Sequence, residues 1–295
     1  MLLKRIPKSN LRLFILLAVL TFCLMQVGVN AQSFPNGITN GNELAVSFIN
    51  VGQADCILIH TPENQNLLID AGNREDFPVI RDYFNRHKIS RLDMVVATHP
   101  HEDHIGSMAQ IIKNYDIGKV FMPKASANTR VFEGLLMAIK AKGLKINTAK
   151  AGFHMNLAPE LFMDFLAPNN ESYADLNNYS VVIKLSYRKV SFLLTGDAER
   201  ISEKEMVNRR YNLKANVLKV GHHGSNSSSS YDFLQKVAPD IAVISVGIRN
   251  DYHHPSLPTL KRLTRLGAKI YRTDQNGTIQ ITTDGTRLSV HCFRE

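Results

Sequence analysis

The sequence predicts an α/β fold, and two observations support that prediction. Short apolar runs rich in β-branched residues alternate with longer amphipathic stretches along much of the chain, which is typical of strands alternating with helices. Groups of histidine follow directly after such runs at 98–106, where an aspartate accompanies them, and at 221–225. Open α/β sheets carry their binding groups at this place, where a strand ends and a loop begins.

The first 31 residues have the composition of a signal peptide. Four basic residues precede an apolar run at 13–24, and Val29-Asn30-Ala31 ends in the small-residue pattern of a signal-peptidase site. The apolar run is short for a membrane span, which needs about 20 residues. We therefore predict a bacterial protein that is exported to the periplasm or secreted, or one that stays membrane-anchored if the segment is retained.

Without this segment, the formal net charge falls from +9 to +5, because the segment holds four basic and no acidic residues. The remaining charge mildly favours an anionic substrate, although ordinary surface lysines explain it equally well. No arginine-rich run or alternation of aromatic and basic residues marks a nucleic-acid surface. Residues 32–43 are rich in Gly, Asn and Ser and predict a flexible leader, and 44–295 predict one domain.

The elements of this domain follow from local composition. Short apolar runs predict strands at 44–50, 56–60, 66–70, 92–97, 119–122, 161–166, 181–187, 190–194, 217–220 and 241–246. Good helix formers with an apolar repeat predict helices at 76–90, 106–115 and 131–142.

The densest chemical motif is Thr98-His99-Pro100-His101-Glu102-Asp103-His104-Ile105-Gly106, with three histidines and an aspartate within six residues. In an extended loop His99 and His101 can face the same side, whereas the adjacent Asp103 and His104 point differently and can serve a second centre. Imidazole and carboxylate groups suit zinc, and also iron or manganese. The alternative is a polar surface loop that happens to be rich in histidine.

The pattern His99-x-His101-x-Asp103-His104 resembles the H-x-H-x-D-H signature of the metallo-β-lactamase superfamily. This resemblance implies an αββα sandwich with one or two metal ions at one edge of its sheets. The stretches 48–55 and 67–72 resemble the branch that contains the extracytoplasmic domain of the DNA-uptake protein ComEC and its stand-alone relatives, with Ala54 in place of the usual glycine. By analogy, Asp70 braces the metal loop.

Further candidates lie in the second half of the chain. Asn177 and Asn178 occupy the part of the chain where many superfamily members have a third histidine of the first metal site. Asp197 follows a strand and corresponds to the bridging aspartate of the superfamily, the alternative being a helix N-cap. His222 and His223 lie between two glycines. One of these histidines should bind metal and the other should contact substrate or donate a proton, with His223 favoured as the ligand.

The resemblance implies a first metal site of His99, His101 and Asp197, and a second of Asp103, His104, Asp197 and His223 or His222. His254 matches the family's His-Pro position, and His253 is expected at the surface. Three further residues are possible additions to the metal site: His254, Asn177 and Asp70. The candidate catalytic residues are Asp103, His222 and Asn178.

These features predict a metal-dependent hydrolase, a phosphodiesterase or nuclease that uses metal-activated water at a mono- or dinuclear zinc site. Its substrate would be a phosphodiester, in DNA or in a cell-envelope component. The alternatives are a DNA-binding module of an uptake system without turnover, a phosphorylcholine esterase, a lactonase or a lactamase. No Ser-His-Asp or Cys-His arrangement and no glycine-rich nucleotide loop competes with this interpretation.

Overall fold

The computed structural model describes Gly41 and residues 43–294. The predicted signal peptide at 1–31 lies outside the described residues, as does nearly all of the predicted leader. Among the described residues, no helix has the length and apolar character needed to cross a membrane.

The described residues form fifteen β-strands and eight α-helices. The strands are β1 Leu44–Phe48, β2 Ile57–His60, β3 Asn66–Ile69, β4 Arg91–Val96, β5 Asp116–Met122, β6 Ile146–Thr148, β7 His154–Ala158, β8 Leu161–Ala167, β9 Val182–Tyr187, β10 Val190–Leu194, β11 Val217–Lys219, β12 Ile241–Ile244, β13 Lys269–Arg272, β14 Thr278–Thr283 and β15 Leu288–Phe293. The helices are α1 Phe77–Arg86, α2 Glu102–Ile105, α3 Met108–Asn114, α4 Arg130–Ala141, α5 Arg200–Asn208, α6 Tyr231–Val237, α7 Leu257–Arg265 and α8 Thr273–Asn276.

The strands form two sheets, each with an antiparallel and a parallel half. The first sheet has the order β15-β14-β1-β2-β3-β4-β5-β6, and the second has the order β13-β12-β11-β10-β9-β8-β7. Pairing is parallel from β3 to β6 in the first sheet and from β10 to β13 in the second. Parallel neighbours need crossover connections, and all the described α-helices except α8 lie in those connections.

Alternate side chains of each strand enter different apolar layers, as the period of a strand requires. In β1, Val46 faces the layer between the two sheets, whereas Ala45 faces the helices that cover the first sheet. In β10, Phe192 packs between the sheets and Leu193 packs toward the helices of the second sheet. The predicted αββα sandwich is confirmed.

The structure contains more strands and helices than the sequence predicted, and two of the differences have a simple physical reason. The edge strand β6 was not predicted, since it is three residues long and exposed along its length. The histidine motif is partly helical, because α2 begins inside it with His101 at its N-cap. A helix of four residues is too short to show a helical repeat in the sequence, yet it separates the directions of Asp103 and His104 by about 100°.

Gly106, the residue after α2, lets this helix approach the turn at Asn73. A Cβ at Gly106 would lie 2.3 Å from the carbonyl carbon of Asn73 and 2.4 Å from the backbone nitrogen of Arg74. We expect Gly106→Ala to lower the free energy of unfolding by about 1–3 kcal/mol, because the backbone must shift to admit the methyl group. Urea denaturation measures this change.

The matched control is Gly134 in α4, where an added Cβ meets nothing within 4 Å. Gly134→Ala should raise the free energy of unfolding by about 0.5–1 kcal/mol, because alanine is the better helix former. Equal changes in the two variants would contradict the close-approach explanation for Gly106.

Candidate metal centre

Side chains from both sheets meet at the edge where the parallel strands end. In the first sheet β3 leads into Asp70, and β4 leads into the loop and short helix that carry the histidine motif. In the second sheet β10 leads into Asp197, and β11 leads into His222 and His223. The site therefore occupies the position that open α/β sheets use for binding and catalysis.

Four of these residues form one group. The ligand atoms of Asp103, His104, Asp197 and His223 all lie within 4.8 Å of one another. The Asp197 Oδ2 atom lies 3.3 Å from Nε2 of His104 and 3.6 Å from Nε2 of His223. The Asp103 Oδ2 atom lies 3.1 Å from Nε2 of His223. Two imidazoles and two carboxylates around one point are a donor set that suits zinc, iron or manganese.

Two atoms of this group have no hydrogen-bond partner, although they are buried: Nε2 of His104 and Oδ1 of Asp197. Buried polar atoms are normally satisfied, so these two fit a cation that completes their coordination. Burial alone would raise the pKa of Asp197, but His104 and His223 hold it well below its usual range. The carboxylates in turn raise the pKa of His104 against the effect of its burial. This local field favours positive charge.

Asp70 holds His104 from the side opposite the group. Its Oδ2 atom lies 2.8 Å from Nδ1 of His104 and accepts a hydrogen bond from Thr98 Oγ1 at 2.7 Å. Its Oδ1 atom accepts from the backbone nitrogen of Thr98 at 2.8 Å. A carboxylate in this position fixes the orientation of the ring and leaves Nε2 directed at the group.

His222 and His223 point to different places, although they are adjacent. Both have left-handed backbone conformations, with φ of 48° and 50°. His223 is buried in the group, and its Nδ1 atom donates to the carbonyl oxygen of Ser245 at 2.9 Å. The side chain of His222 is 25% exposed, and its Nδ1 atom lies 3.2 Å from Oε1 of Glu199. The structure thus separates the two histidines, which the sequence could not do.

The flanking glycine Gly224 allows this turn. Its φ is +83°, and a Cβ there would lie 2.5 Å from Cβ of Pro255. Glycine is therefore required at this position both by conformation and by space.

His99 and His101 lie outside the four-residue group of the described residues. The Nε2 atom of His99 lies 3.0 Å from Nδ1 of His101, and the two rings meet edge to face at an interplanar angle of 80°. Burial lowers the pKa of His99 well below its usual value and keeps the ring neutral. The first predicted metal site is thus represented by a neighbouring pair of imidazoles, without a third histidine.

The two asparagines have different surroundings. Asn177 lines the cavity, and its Oδ1 atom is buried without a hydrogen-bond partner. The Oδ1 atom of Asn178 accepts from the backbone nitrogen of Ser202 at 3.2 Å, at the start of α5. Asn178, predicted as a catalytic candidate, is absent from the cavity lining. Its side chain instead connects the segment before β9 to helix α5.

A buried ion pair behind the group was missed by the sequence analysis. The Nζ atom of Lys219, in β11, lies 2.6 Å from Oδ2 of Asp55, and both side chains are fully buried. The Oδ1 atom of Asp55 lies 3.6 Å from Nδ1 of His223. The ammonium group also donates to the carbonyl oxygen of Gly196 at 3.4 Å. A lysine inside an apolar strand was the one signal in the sequence that could have revealed this pair.

The group opens into a cavity of about 350 Å³. The residues that line it are Gln53, His101, Glu102, Asp103, Asn177, Asp197, His222, His223, Tyr252 and His254. Burial lowers the pKa of His254 to about 4, so this ring is neutral. His253 is exposed. Gln53, Glu102 and Tyr252 were not predicted from the sequence.

A family model described as the metallo-beta-lactamase superfamily matches residues 49–248. This chain belongs to the metallo-beta-lactamase superfamily. The match includes the strands that lead to all four residues of the group.

The ComE operon protein 3 of Bacillus subtilis (strain 168) is 33% identical over 256 residues, which are 81% of this chain and 33% of that protein. The competence protein ComA of Neisseria gonorrhoeae is 31% identical over 241 residues, 81% of this chain and 32% of that protein. This chain thus spans about a third of the length of these relatives. The predicted ComEC-like branch is confirmed.

Among solved structures, the metallo-beta-lactamase fold protein YhfI from Bacillus subtilis superposes with a TM-score of 0.55. The sequences are 11% identical, and the superposition covers 81% of this chain and 99% of YhfI. At this identity, the likeness supports the shared fold.

Proposed function

We propose that this chain is an exported, metal-dependent phosphodiesterase that acts on nucleic acid. The observation that carries the proposal is the group of Asp103, His104, Asp197 and His223, which holds two buried atoms without hydrogen-bond partners and adjoins a polar cavity. Membership of a superfamily of metal-dependent hydrolases supports the reaction class. Export is proposed from the signal-like composition of residues 1–31.

One or two divalent cations in this site, zinc in our proposal and manganese or iron as alternatives, would activate water and neutralise developing negative charge. The protein's own residues orient the reactants. Asp103 is the member of the group that is 32% exposed, and it lines the cavity, so its carboxylate can orient a water molecule. His222 faces the same cavity with Nδ1 held by Glu199, which suits proton donation to the leaving oxygen.

The two adjacent histidines should respond differently to substitution. We expect His223→Asn to lose bound metal and hydrolysis together, since His223 belongs to the four-residue group. His222→Asn should keep its metal and lower the rate of hydrolysis by about 100-fold, which is the lower end of the range for a lost general acid. Metal content by mass spectrometry and steady-state rates on the same samples separate the two roles. Loss of metal in both variants would contradict this assignment.

The substrate class is supported by two observations. The sequence resembles the ComEC-like branch, and one relative is named a competence protein. The cavity is lined mainly by polar and charged side chains, which fits a phosphodiester better than the apolar part of a lactam or lactone. A phosphorylcholine esterase, a lactonase and a lactamase remain alternative hydrolases.

A second candidate is a DNA-binding module without turnover. It is favoured by the position of His99 and His101 outside the four-residue group and by Asn177 in place of a histidine. Salt-dependent DNA binding by a folded but inactive protein would support this candidate.

The deciding experiment measures metal content in protein purified without chelator and hydrolysis of bis(p-nitrophenyl) phosphate on the same sample. We expect bound metal and turnover in the wild type, and loss of turnover in Asp103→Ala. Asp164→Ala is the matched control, since Asp164 also contacts a histidine, His154 at 2.7 Å, but lies outside the cavity. A folded, metal-loaded and inactive wild type would overturn the proposed hydrolysis.

A further inference from the structure

Tyr252 is an exposed aromatic residue at the mouth of the metal cavity. Its side chain lines the cavity together with Asp197 and His222, yet the residue is 70% exposed. Large aromatic side chains gain most from burial, so this exposure calls for an explanation. We propose that Tyr252 is a stacking platform for an unpaired nucleobase of the substrate. This inference rests on the proposed function and specifies the substrate as single-stranded nucleic acid.

The loop that carries Tyr252 is held by its own hydrogen bonds. The side-chain amide of Asn250 donates to the carbonyl oxygens of Gly247 at 3.0 Å and His254 at 2.7 Å. Its Oδ1 atom accepts from the backbone nitrogen of His254 at 2.9 Å. These bonds close the loop on both sides of Tyr252 and leave its ring outside. The backbone from which the ring extends is therefore held in place by the loop.

The ring of Tyr252 is the outer member of a row of aromatic rings. It stacks on His254, with ring centroids 5.7 Å apart and an interplanar angle of 24°. His254 in turn contacts His222 edge to face at 5.5 Å. The Nε2 atom of His222 lies 3.7 Å from Oδ2 of Asp197, in the four-residue group. One face of the Tyr252 ring thus packs on His254, and the exposure of the residue leaves aromatic surface beside the metal cavity.

The stretch of chain that contains Tyr252 exposes two further large apolar residues. Ile248 is 73% exposed and Leu257 is 71% exposed, and both lie in the same stretch of chain as Tyr252. Three of the exposed large apolar residues of the described chain therefore fall within 248–257. Exposed apolar surface beside a site indicates a binding surface.

A nucleobase fits this surface better than a quaternary ammonium group does. Cages for such cations combine several aromatic faces, whereas the described cavity lining contains a single tyrosine and no phenylalanine. Stacking of a base needs one flat face, and it tolerates every base because each has a π face. A base in a duplex is already stacked on its neighbours, so an unpaired base is the occupant that gains from Tyr252.

The test uses the metal-loaded protein and compares Tyr252→Ala with Tyr252→Phe. The exposed Tyr231, which packs near Arg265 and lies outside the cavity lining, provides the matched control Tyr231→Ala. Binding is measured with a fluorescein-labelled oligothymidine and with an abasic strand of equal length. We expect Tyr252→Ala to raise the Kd for oligothymidine about 5- to 100-fold. The Kd for the abasic strand should not change, and Tyr252→Phe and Tyr231→Ala should bind both strands like the wild type.

Hydrolysis is measured with the p-nitrophenyl ester of thymidine 5′-phosphate and with methyl p-nitrophenyl phosphate, which shares the leaving group but lacks the base. Tyr252→Ala should raise KM for the thymidine ester alone, with kcat maintained. Equal losses on both esters and both strands, or no loss on any of them, would overturn the platform. So would a loss confined to p-nitrophenyl phosphorylcholine.

The results separate this inference from the proposed function. If the wild type hydrolyses neither ester, but Tyr252→Ala loses base-dependent binding, the phosphodiesterase proposal fails and the platform stands. If both esters are hydrolysed without any dependence on Tyr252, the phosphodiesterase proposal stands and the platform fails.

Discussion

Replacing Asp197 with asparagine is expected to remove bound metal and lower phosphodiester hydrolysis by more than about 100-fold. Even the loss of an indirect contact to a metal ligand commonly costs about 10- to 100-fold, and we propose Asp197 as a direct ligand. Its Oδ2 atom lies 3.3 Å from Nε2 of His104, 3.6 Å from that of His223 and 3.7 Å from that of His222. Asparagine keeps the size of the side chain but removes the negative charge that lies close to all three imidazole rings.

The control for Asp197→Asn is Glu203→Gln. Glu203 is buried to the same extent, with 2% exposure for both residues. It accepts hydrogen bonds from the backbone nitrogens of Ser229 and Ser230 and lies outside the cavity. We expect Glu203→Gln to lose stability but to keep metal and turnover. A folded Asp197→Asn variant with full metal content and full activity would show that the bridging assignment is wrong.

Replacing Lys219 with methionine should cause the largest loss of stability, about 3–5 kcal/mol in the free energy of unfolding. The substitution keeps a long apolar stem, but it leaves the carboxylate of Asp55 buried without its cation. Because the positive charge of Lys219 opposes positive charge at the nearby His223 ring, the folded variant should bind cations at least as tightly as the wild type. Urea denaturation with chelator, and metal titration of the folded protein, measure the two effects separately.

The double variant Lys219→Met/Asp55→Asn tests the cause of this loss. If the cost comes from an uncompensated charge, removing that charge should restore a large part of the stability lost in the single variant. If the double variant is as unstable as the sum of the two single variants, packing of the lysine stem is responsible instead.

Much of this fold could be predicted, because its central strands have apolar residues on both faces. The paired sheets bury β1 and β10 from two sides, and such strands stand out as continuous apolar runs. Strands at the edges lack this signal, as β6 shows. The strand β14 is fully buried although three of its residues are threonine. Its burial comes from pairing with β1 and β15, which local sequence does not encode.

The candidate site could be located from the sequence, but its internal contacts could not. The motif around His104 identifies the metal loop by composition alone. The separation of His222 from His223 depends on two left-handed residues, and the difference between Asn177 and Asn178 depends on a bond to Ser202. The partner of Lys219 comes from a loop far earlier in the chain. Such pairings form only when the two sheets are assembled.

The four-residue group takes Asp103 and His104 from the first sheet and Asp197 and His223 from the second. A cation held by all four would join the two halves of the chain like a removable cross-link. At a hundredfold excess over its Kd, such a ligand adds about 2.7 kcal/mol to the free energy of unfolding. Resistance to proteases follows the population of opened protein. The lifetime of this protein among proteases should therefore rise and fall with the supply of metal around it.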